Sequence, residues 1–371
     1  MSATSDYPKY VLILVFFVVT IQLVSQPAGN VTIQTINITN NKVLPSTNKT
    51  MEIGKKYITT FKYRGRLANM IYRCASLYGI GRATGRKPYI LTAKEIRIFY
   101  EMTNIFPAMK DQFEIISHQN FTDKTVSLGY NDCCRFESPS NLEKYNDTKY
   151  LKLHLDFLQS YKYFHPYKND LKKLMQCSPK LKNESQIEAK KIWSNDSSSH
   201  KVCVHIRRGD FIKIPSLVAS TYEFINPAIN FIHKQLSQKS ISNISLLLFG
   251  DDLAFGKNLT FPKKFTSATI LKDGKGGRAF DMCFAIEYCD TFLISASSSS
   301  FSFWIGYLMK KQGTVYYNAE IATTNRNSKF KYAEDGFPPE WKKLKLRKNG
   351  IIEEVPLQKE HELKNTTIIK K

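Results

Sequence analysis

The chain has 371 residues and carries 54 lysines and arginines against 32 acidic residues, a net charge of +22. After a short N-terminal extension, this length is enough for two α/β lobes or one large domain. The charge suits nucleic acid, an anionic membrane or an anionic ligand, but the lysines form neither a nucleic-acid motif nor a basic helix, which argues against nucleic acid.

The N-terminal segment predicts a membrane anchor. Residues 1–10 are expected to be a cytoplasmic tail and residues 11–25 a signal-anchor transmembrane helix, because Val11 to Val24 are almost all apolar. The run is shorter than the roughly 20 residues of a full span and also fits the core of a signal peptide. We favour the uncleaved anchor, since Leu23-Val24-Ser25 makes a poor cleavage site. The expected topology is single-pass type II with a lumenal body.

Residues 26–55 are rich in Asn, Thr, Ser and Lys and predict a flexible stem. Sequons for N-glycosylation continue along the chain and fit a lumenal body, which would exclude nucleic acid as a partner. The Asn-x-Ser/Thr triplets begin at Asn30, Asn37, Asn48, Asn120, Asn146, Asn183, Asn195, Asn243, Asn258 and Asn365.

A first α/β lobe is predicted over residues 56–195. A polar segment at 183–200, which carries two sequons, predicts a linker out of this lobe. The pattern before it predicts a strand over 57–63, a helix over 69–83, a strand over 87–91, a helix over 93–115, a loop over 120–149, a strand over 150–154 and a helix from about 169.

A second α/β lobe is predicted over residues 200–335, followed by a lysine-rich tail over 336–371 with weak periodicity. Strands and helices alternate in this lobe, as in a parallel sheet. After the strand that begins at 201, the pattern predicts a helix over 222–236, a strand over 244–249, a helix over 281–289, a strand over 291–294, a helix over 301–310 and a strand over 314–317.

The chain contains seven cysteines, so at least one is unpaired or used between chains. We interpret Cys203 as a free thiol, because it lies inside a predicted buried strand. A structural zinc site is not expected, since the chain has no Cys-x-x-Cys pair and no His-x-x-x-His pair.

The most informative stretch runs from Val202 to Phe211. An apolar, β-prone segment ends abruptly in Arg207, Arg208, Gly209 and Asp210. This pattern is typical of a buried strand whose carboxyl end opens into a ligand crevice. Because guanidinium groups suit multidentate recognition of phosphate, the stretch predicts a diphosphate pocket, with a turn of solvated charges as the alternative.

Two further polar segments follow predicted strands of the same lobe. The serine run at 295–300 precedes a helix, so its hydroxyls and the first amides of that helix predict an anion site, with ordinary N-capping as the alternative. Asp251-Asp252 lacks the spacer of the Asp-x-Asp pair that metal-dependent glycosyl transfer often uses. We interpret this pair as solvated carboxylates rather than a magnesium site.

These motifs resemble those of the α1,2-fucosyltransferases, glycosyltransferase family 11, in a nematode-like branch. His205-Ile-Arg-Arg-Gly-Asp210 is similar to that family's His-x-Arg-Arg-x-Asp motif, and Phe249-Gly-Asp-Asp252 resembles its second motif. The resemblance covers about residues 57–320. The other matching segments, in chain order, are Gly65 to Asn69, Gln159 to Phe164, Asp281 to Cys289 and Ser299 to Leu308.

The resemblance implies an α/β fold of GT-B type, in which a donor crevice separates two Rossmann-type lobes, the first on the acceptor side and the second on the donor side. It implies inverting transfer of L-fucose from GDP-fucose to a galactose hydroxyl, in α1,2 linkage, on glycoprotein or glycolipid glycans of the Golgi. The partners would be GDP-fucose, a galactose-containing glycan and, through the anchor, the Golgi membrane. No cofactor and no metal ion would be needed.

The resemblance also assigns roles to individual residues. Arg207 would hold the β-phosphate as a catalytic group, and Arg208 would contact the donor or brace the loop. Asp210 is the candidate base, with bracing of the arginines as the alternative. For binding of the donor, His205 and Asp281 would orient the nucleotide, Ser299 and Ser300 would donate to the phosphates, and Gly65 and Asn69 would reach the diphosphate from the first lobe.

The chain departs from the family pattern at two places in the first lobe. Ala68-Asn69-Met70 stands where the family usually has Gly-Asn-Gln, and Arg73 stands where an acidic residue is often found. Two alternatives to an active α1,2-fucosyltransferase therefore stay open. One is an inactive or divergent glycan-binding paralogue, and the other is a protein O-fucosyltransferase.

Overall fold

Two β-sheets, each flanked by helices, make up the described part of the chain. The structure is a computed structural model and describes residues 54–60, 65–91, 93–116, 123–131, 134–154, 157–194, 196, 198–261, 265–271, 277–310, 313–321 and 333–356. Within these ranges no helix is both long and apolar enough to cross a membrane. The expected tail over 1–10, the anchor over 11–25 and most of the stem lie outside the described residues, as do Asn30, Asn37, Asn48, Asn120, Asn195 and Asn365.

The first sheet has five parallel strands in the order β3-β2-β1-β5-β4. Helix α1 is buried on nearly every side because it packs against both this sheet and α8 of the second lobe. It ends at Gly85, whose φ of 64° is the left-handed conformation that closes many helices. The elements are β1 (Lys56–Thr60), α1 (Leu67–Thr84), β2 (Arg86–Ile90), α2 (Ala93–Ile105), β3 (Glu114–Ile115), β4 (Lys124–Val126) and β5 (Tyr150–Leu153).

Helices α3 (Lys168–Leu174) and α4 (Pro179–Ile192) lead out of the first lobe. The linker expected over 183–200 is wrong, because α4 occupies most of it and packs against α7 of the second lobe. The buried stripe of α4 consists of Leu181, Ser185 and Ala189 at helical spacing. Two of these side chains are small, so the stripe gives almost no apolar signal in the sequence.

The second sheet has seven strands in the order β12-β11-β10-β9-β6-β7-β8, all parallel except β12. The α/β prediction with parallel sheets is confirmed. The elements are β6 (His200–Ile206), α5 (Tyr222–Ser237), β7 (Ile244–Gly250), α6 (Leu253–Lys257), β8 (Ser267–Ile270), α7 (Gly277–Tyr288), β9 (Thr291–Ile294), α8 (Ser300–Leu308), β10 (Thr314–Asn318), α9 (Ala333–Gly336), β11 (Lys342–Leu346) and β12 (Ile352–Val355).

The segment 336–371, expected to be a tail, contributes two of these strands. Strand β11 pairs with β10 in parallel, and β12 pairs with β11 in the opposite direction. Lysines alternate with leucines in β11, so that Leu344 is fully buried while Lys345 is exposed. The alternation spans only five residues and most of them are lysines. The sequence pattern is therefore too weak to predict a strand here.

The prediction of a free thiol at Cys203 is wrong. Cys203 is bonded to Cys289, with Cα atoms 5.8 Å apart, and is therefore not a free thiol. The free cysteine among the described residues is the buried Cys74. A buried strand can hold a disulfide-bonded cysteine as easily as a free thiol. The predicted burial of Cys203 was therefore not enough to show whether it is paired. A second disulfide joins Cys177 to Cys283 and links the segment before α4 to α7.

Aromatic side chains join the two lobes in one shared core. The ring of Tyr72 in α1 lies 4.7 Å from the ring of Phe303 in α8, and Phe164 stacks on Trp304 at 5.2 Å. Large buried rings of this kind dominate the energetics of a core. The position of α8 relative to α1 is therefore fixed by packing.

A buried ion pair stabilises the first lobe. Arg73 is fully buried, and its Nη1 atom lies 2.6 Å from Oε1 of Glu95, which is only 3% exposed. The arginine thus faces the interior, where it also donates to Thr59 Oγ1 and the carbonyl of Thr60. The departure from the family pattern at Arg73 is consequently a feature of the core.

We expect Glu95→Ala to lower the free energy of unfolding by about 3–5 kcal/mol, because it leaves a buried guanidinium uncompensated. Urea unfolding of the wild type and the variant measures this difference. Replacing both partners, as Arg73→Met with Glu95→Leu, should recover much of the loss.

The exposed pair of Arg82 and Asp170, 3.3 Å apart, provides the matched control. Asp170→Ala should change stability by no more than about 1 kcal/mol. Equally small effects at both pairs would contradict the assignment of Arg73 and Glu95 to the core.

Candidate active site

Residues that follow the carboxyl ends of strands in both sheets line one open cavity of about 540 Å³. In the second sheet the strand order reverses between β6 and β9. In open α/β sheets, ligands bind next to such a reversal, beyond the carboxyl ends of the strands. The first sheet has an equivalent break between β1 and β5. The predicted site residues that line the cavity are Gly65, Asn69, His205, Arg207, Asp210, Asp281, Ser299 and Ser300.

Arg207, directly after β6, is held by two carboxylates. Its Nη1 atom lies 2.5 Å from Asp251 Oδ2, and its Nη2 atom donates to Asp210 Oδ1. Its main-chain N–H donates to Ser220 Oγ at 2.8 Å. The guanidinium, about one-fifth exposed, is thereby fixed at the cavity wall.

Arg208 does not line the cavity. Its Nε atom donates to Asp252 Oδ2 at 3.0 Å, its Nη1 atom donates to the carbonyl of Ser220 at 2.7 Å, and its guanidinium lies over the ring of Phe255. Arg208 was expected either to contact the donor or to brace the loop, and these contacts correspond to bracing of the loop.

Asp251 and Asp252 are both partly exposed and ion-paired. Asp251 accepts from Arg207 and from the main-chain N–H of Arg208, while Asp252 accepts from Arg208 and from the N–H of Phe255 at the start of α6. A glycine is needed at 250 for the backbone there to lie this close to Ile206, because a Cβ atom would be 1.9 Å from the carbonyl oxygen of Ile206. The residue has a φ of 144°, which L side chains rarely adopt.

His205 is the last but one residue of β6 and is 4% exposed. Its Nδ1 atom shares a hydrogen bond of 2.7 Å with Ser302 Oγ, and its ring lies between Phe249 and Phe301. Burial, together with the positive charge of Arg207, lowers the pKa of His205 to about 3. The cavity wall therefore presents a neutral imidazole at physiological pH.

The serine run acts mainly through hydrogen bonds within the protein. Ser299 caps α8, since its Oγ atom accepts from the N–H of Ser302. Ser300 Oγ donates to Asn69 Oδ1 at 2.9 Å, so it contacts the opposite lobe. N-capping, which was the alternative to an anion site, is thus present. The first residues of α8 also line the cavity.

Asn69 links the two lobes at the floor of the cavity. Its Oδ1 atom accepts from Gln159 Nε2 as well as from Ser300 Oγ, both at 2.9 Å. Gly65 has a φ of 110° and lies so close that a Cβ atom there would be 2.2 Å from Asn69 Nδ2. The glycine of the first loop is therefore required for the position of Asn69.

Gln159 follows a strained residue. Leu158 is fully buried with a φ of 51°, a conformation that costs an L-residue roughly 1–2 kcal/mol. Its carbonyl accepts a 2.8 Å hydrogen bond from Ser76 Oγ, which holds the turn. This turn directs the amide of Gln159 toward Asn69.

Two further arginines line the cavity. Arg66 Nη2 lies 3.5 Å from Asp210 Oδ2 across the cavity, and Arg278 Nη2 lies 3.2 Å from Glu101 Oε1. Each pair joins one lobe to the other. Asp210 consequently contacts two arginines, one from each lobe.

The roles of Gln159, Ser220 and Asp251 at the cavity are not predicted from the sequence. Gln159 was only a landmark of the resemblance, and Ser220 lies in a segment without periodicity. A signal for Asp251 did exist, because β6 and β7 were both predicted to be strands. Their parallel register places Gly250 opposite Ile206, which brings Asp251 beside Arg207.

Among the described residues, no group of three or more His, Cys, Asp or Glu side chains is arranged to hold a metal ion. The two carboxylates at the end of β7 contact arginines instead.

The sequence matches the family model of Glycosyl transferase family 11 over residues 22–345. A galactoside 2-alpha-L-fucosyltransferase of Caenorhabditis elegans is 30% identical over 302 residues, which covers 79% of this chain and 81% of the relative. A second one is 28% identical over 316 residues, covering 78% and 76%. The solved fucosyltransferase NodZ from Bradyrhizobium is 11% identical, with a TM-score of 0.42 and a coverage of 82% of this chain and 100% of that chain.

The lowered pKa of His205 predicts a specific pH dependence of stability. In the unfolded chain a histidine binds a proton below about pH 6.5, whereas in the folded protein His205 does so only near pH 3. This residue therefore lowers the stability of the fold as the pH decreases through that window, by up to roughly 1.4 kcal/mol per pH unit.

His205→Asn, which does not titrate, should remove this contribution. Urea unfolding at pH 7, 6, 5 and 4 measures this contribution. We expect the free energy of unfolding of the wild type, relative to that of the variant, to decrease steadily toward acid pH. Parallel pH dependences of the two proteins would show that His205 is protonated in the fold as readily as in the unfolded chain.

Proposed function

The chain belongs to glycosyl transferase family 11, and on that basis we propose that it transfers L-fucose from GDP-fucose to the 2-hydroxyl of a galactose in a glycan. Two observations support the proposal. The family model covers most of the chain, and relatives of about 30% identity are named galactoside 2-alpha-L-fucosyltransferases. The observation that carries it in the structure is a fixed guanidinium, Arg207, at the strand-order reversal where a nucleotide would bind.

The chemistry assigned to Arg207 follows from the leaving group. In an inverting transfer the acceptor oxygen attacks the anomeric carbon of fucose from the face opposite the diphosphate. The bond from that carbon to the phosphate oxygen breaks, and the electron pair leaves with GDP. A cation that is already oriented stabilises this developing charge without reorganisation. Asp251 and Asp210 supply the orientation, because each bonds to a different nitrogen of the guanidinium.

We further propose a GT-B arrangement in which both lobes contact the donor. The second lobe offers Arg207 and the N-terminus of α8, where Ser300 and Phe301 line the cavity and their amides would donate to phosphate oxygens of the donor. The first lobe offers the amide of Asn69. His205 and Asp281 line the same wall and would orient the nucleotide, His205 as a neutral group. The diphosphate would then be held by side chains and amides of the protein without a metal ion.

For Asp210 the contacts favour orientation of Arg207 over the role of base. Both carboxylate oxygens face arginines, one from each lobe. A base must accept the proton of the acceptor hydroxyl, whereas each oxygen of this carboxylate already faces a guanidinium group.

We also propose that the body of the chain lies in the lumen of the Golgi, anchored by the apolar run of Val11 to Val24 as a single-pass type II protein. The disulfides Cys177–Cys283 and Cys203–Cys289 suit an oxidising compartment. The acceptor asparagines of the sequons that lie within the described residues are at least partly exposed, as glycosylation requires: Asn146, Asn183, Asn243 and Asn258.

Arg207→Ala should lower turnover by about 10²–10³, the effect of losing one stabilising donor. The measurement is release of GDP from GDP-fucose by the full-length chain, with a β-galactoside acceptor and EDTA present. Arg347→Ala is the matched control, because Arg347 is exposed and pairs with Glu353 far from the cavity. Near-normal turnover of a folded Arg207→Ala variant would refute the assignment.

The same assay separates the alternatives. Binding of GDP without transfer to any acceptor would indicate an inactive or glycan-binding paralogue. Transfer to a serine or threonine of a folded protein domain, but not to a galactoside, would indicate a protein O-fucosyltransferase. Arg73 does not favour inactivity, since it lies in the core and not at the cavity.

Asp210→Asn distinguishes orientation from base catalysis. A general base contributes about 10²–10⁴ to the rate, and its removal also abolishes the acidic limb of the pH–rate profile. We expect a loss of less than about 10² with the acidic limb retained, because the asparagine oxygen can still accept from Arg207. A larger loss together with a flat acidic limb would make Asp210 the base.

A further inference from the structure

Tyr130 combines an exposed aromatic ring with a strained backbone. It has a φ of 56° and a ψ of 29°, the left-handed region, and 58% of its surface is accessible. Strained residues of this kind persist where the surrounding structure holds them, and they cluster at sites that bind ligands. Glycine would adopt this backbone without cost, whereas a tyrosine adds a large ring that contributes little buried surface.

The surroundings hold this ring in one place. The guanidinium of Arg135 lies over it, with Cζ 3.8 Å from the ring centroid. The N–H of Tyr130 donates to Glu137 Oε2 at 3.2 Å, and Asn141 donates to the other oxygen of that carboxylate. One face of the ring is thus covered by a cation, and most of the remaining surface is accessible.

The segment that carries Arg135 and Glu137 is tied to the second lobe and to the core of the first. Tyr163 OH donates to the carbonyl of Arg135 and accepts from the N–H of Glu137, each at 3.3 Å. Between them, the N–H of Phe136 donates to Asp335 Oδ2 at 2.9 Å. The ring therefore packs on a platform, residues 135–137, that is hydrogen-bonded to both lobes, and support of this kind suits binding.

This platform adjoins the cavity. Strands β4 and β5 are parallel, so Tyr130, four residues after the end of β4, emerges at the same sheet edge as Gln159, which follows β5. Cys134, the neighbour of Arg135, places its sulfur 3.9 Å from Gln159 Oε1, and Gln159 lines the cavity. The exposed ring thus packs on a segment that contacts a lining residue of the cavity, in the lobe expected to receive the acceptor.

We propose that Tyr130, backed by Arg135, is a subsite for a sugar ring of the acceptor glycan beyond the galactose that receives fucose. This proposal rests on the proposed function. A pyranose ring has an apolar face of C–H groups that packs on an aromatic face, while its hydroxyls remain free to bond to charged side chains at the rim. The subsite would make the protein prefer extended glycans over simple galactosides.

The test compares two acceptors with the full-length chain: methyl β-D-galactopyranoside and a galactose-terminated tetrasaccharide. Tyr130→Gly should raise KM for the tetrasaccharide about tenfold, the size of one lost ring-stacking contact. The kcat/KM for the methyl galactoside and the KM for GDP-fucose should not change. The midpoint of thermal unfolding should stay the same or rise, because glycine relieves the strain. Tyr130→Phe, which keeps the ring, should behave as the wild type.

Ile187→Ala on α4 is the matched control, since Ile187 is likewise exposed (48%) but belongs to a helix that does not line the cavity. An unchanged KM for the tetrasaccharide in Tyr130→Gly, or an equal loss with both acceptors, would overturn the subsite.

Calorimetric binding of the tetrasaccharide separates this proposal from the function itself. If the wild type transfers fucose to neither acceptor but binds the tetrasaccharide in a Tyr130-dependent way, the subsite stands and the enzymatic function fails. Binding that does not depend on Tyr130 overturns the subsite whatever the activity.

Discussion

The structure at the centre of the second lobe depends on the pairing of Arg207 with Asp251 and Asp210. A guanidinium at the end of a buried strand is useful to an anionic ligand only if its direction is fixed, and here it is fixed by carboxylates from its own loop and from the end of the adjacent strand. The contact with Asp251 requires a parallel register that places Gly250 beside Ile206, a glycine at 250, and a second arginine that braces the loop. Much of the surrounding sequence is explained by that one orientation.

The two lobes meet through polar contacts above an aromatic core. Below the cavity, rings from α1 and α8 pack together and leave little freedom between the lobes. At the cavity floor, the amides of Asn69 and Gln159 connect to Ser300. Packing thus determines how far apart the lobes lie, and the hydrogen bonds determine which atoms face the cavity. A neutral His205 completes a wall that carries both arginines and carboxylates.

The sequence was sufficient for features that depend on local pattern. Apolar runs located β7 and β9, and the abrupt change from apolar to charged residues located the cavity end of β6. It was insufficient where a feature depends on a distant partner. The stripe on α4 is made of small side chains, β11 is recognisable only beside β10, and the disulfide of Cys203 needs a partner 86 residues away. Asp251 lies 44 residues from Arg207, so only the pairing of strands shows its role.

The disulfides Cys177–Cys283 and Cys203–Cys289 have a consequence for the integrity of the chain. Both end on α7 or directly after it, at Cys283 and Cys289, and they enclose overlapping loops of 106 and 86 residues. A protease that cuts once between residues 203 and 283 therefore divides the chain into two pieces that both bonds still hold together. Such a nicked molecule would keep its mass until a reductant acts, and Cys203 and Cys289, both fully buried, are out of reach of a reductant while the second lobe stays folded.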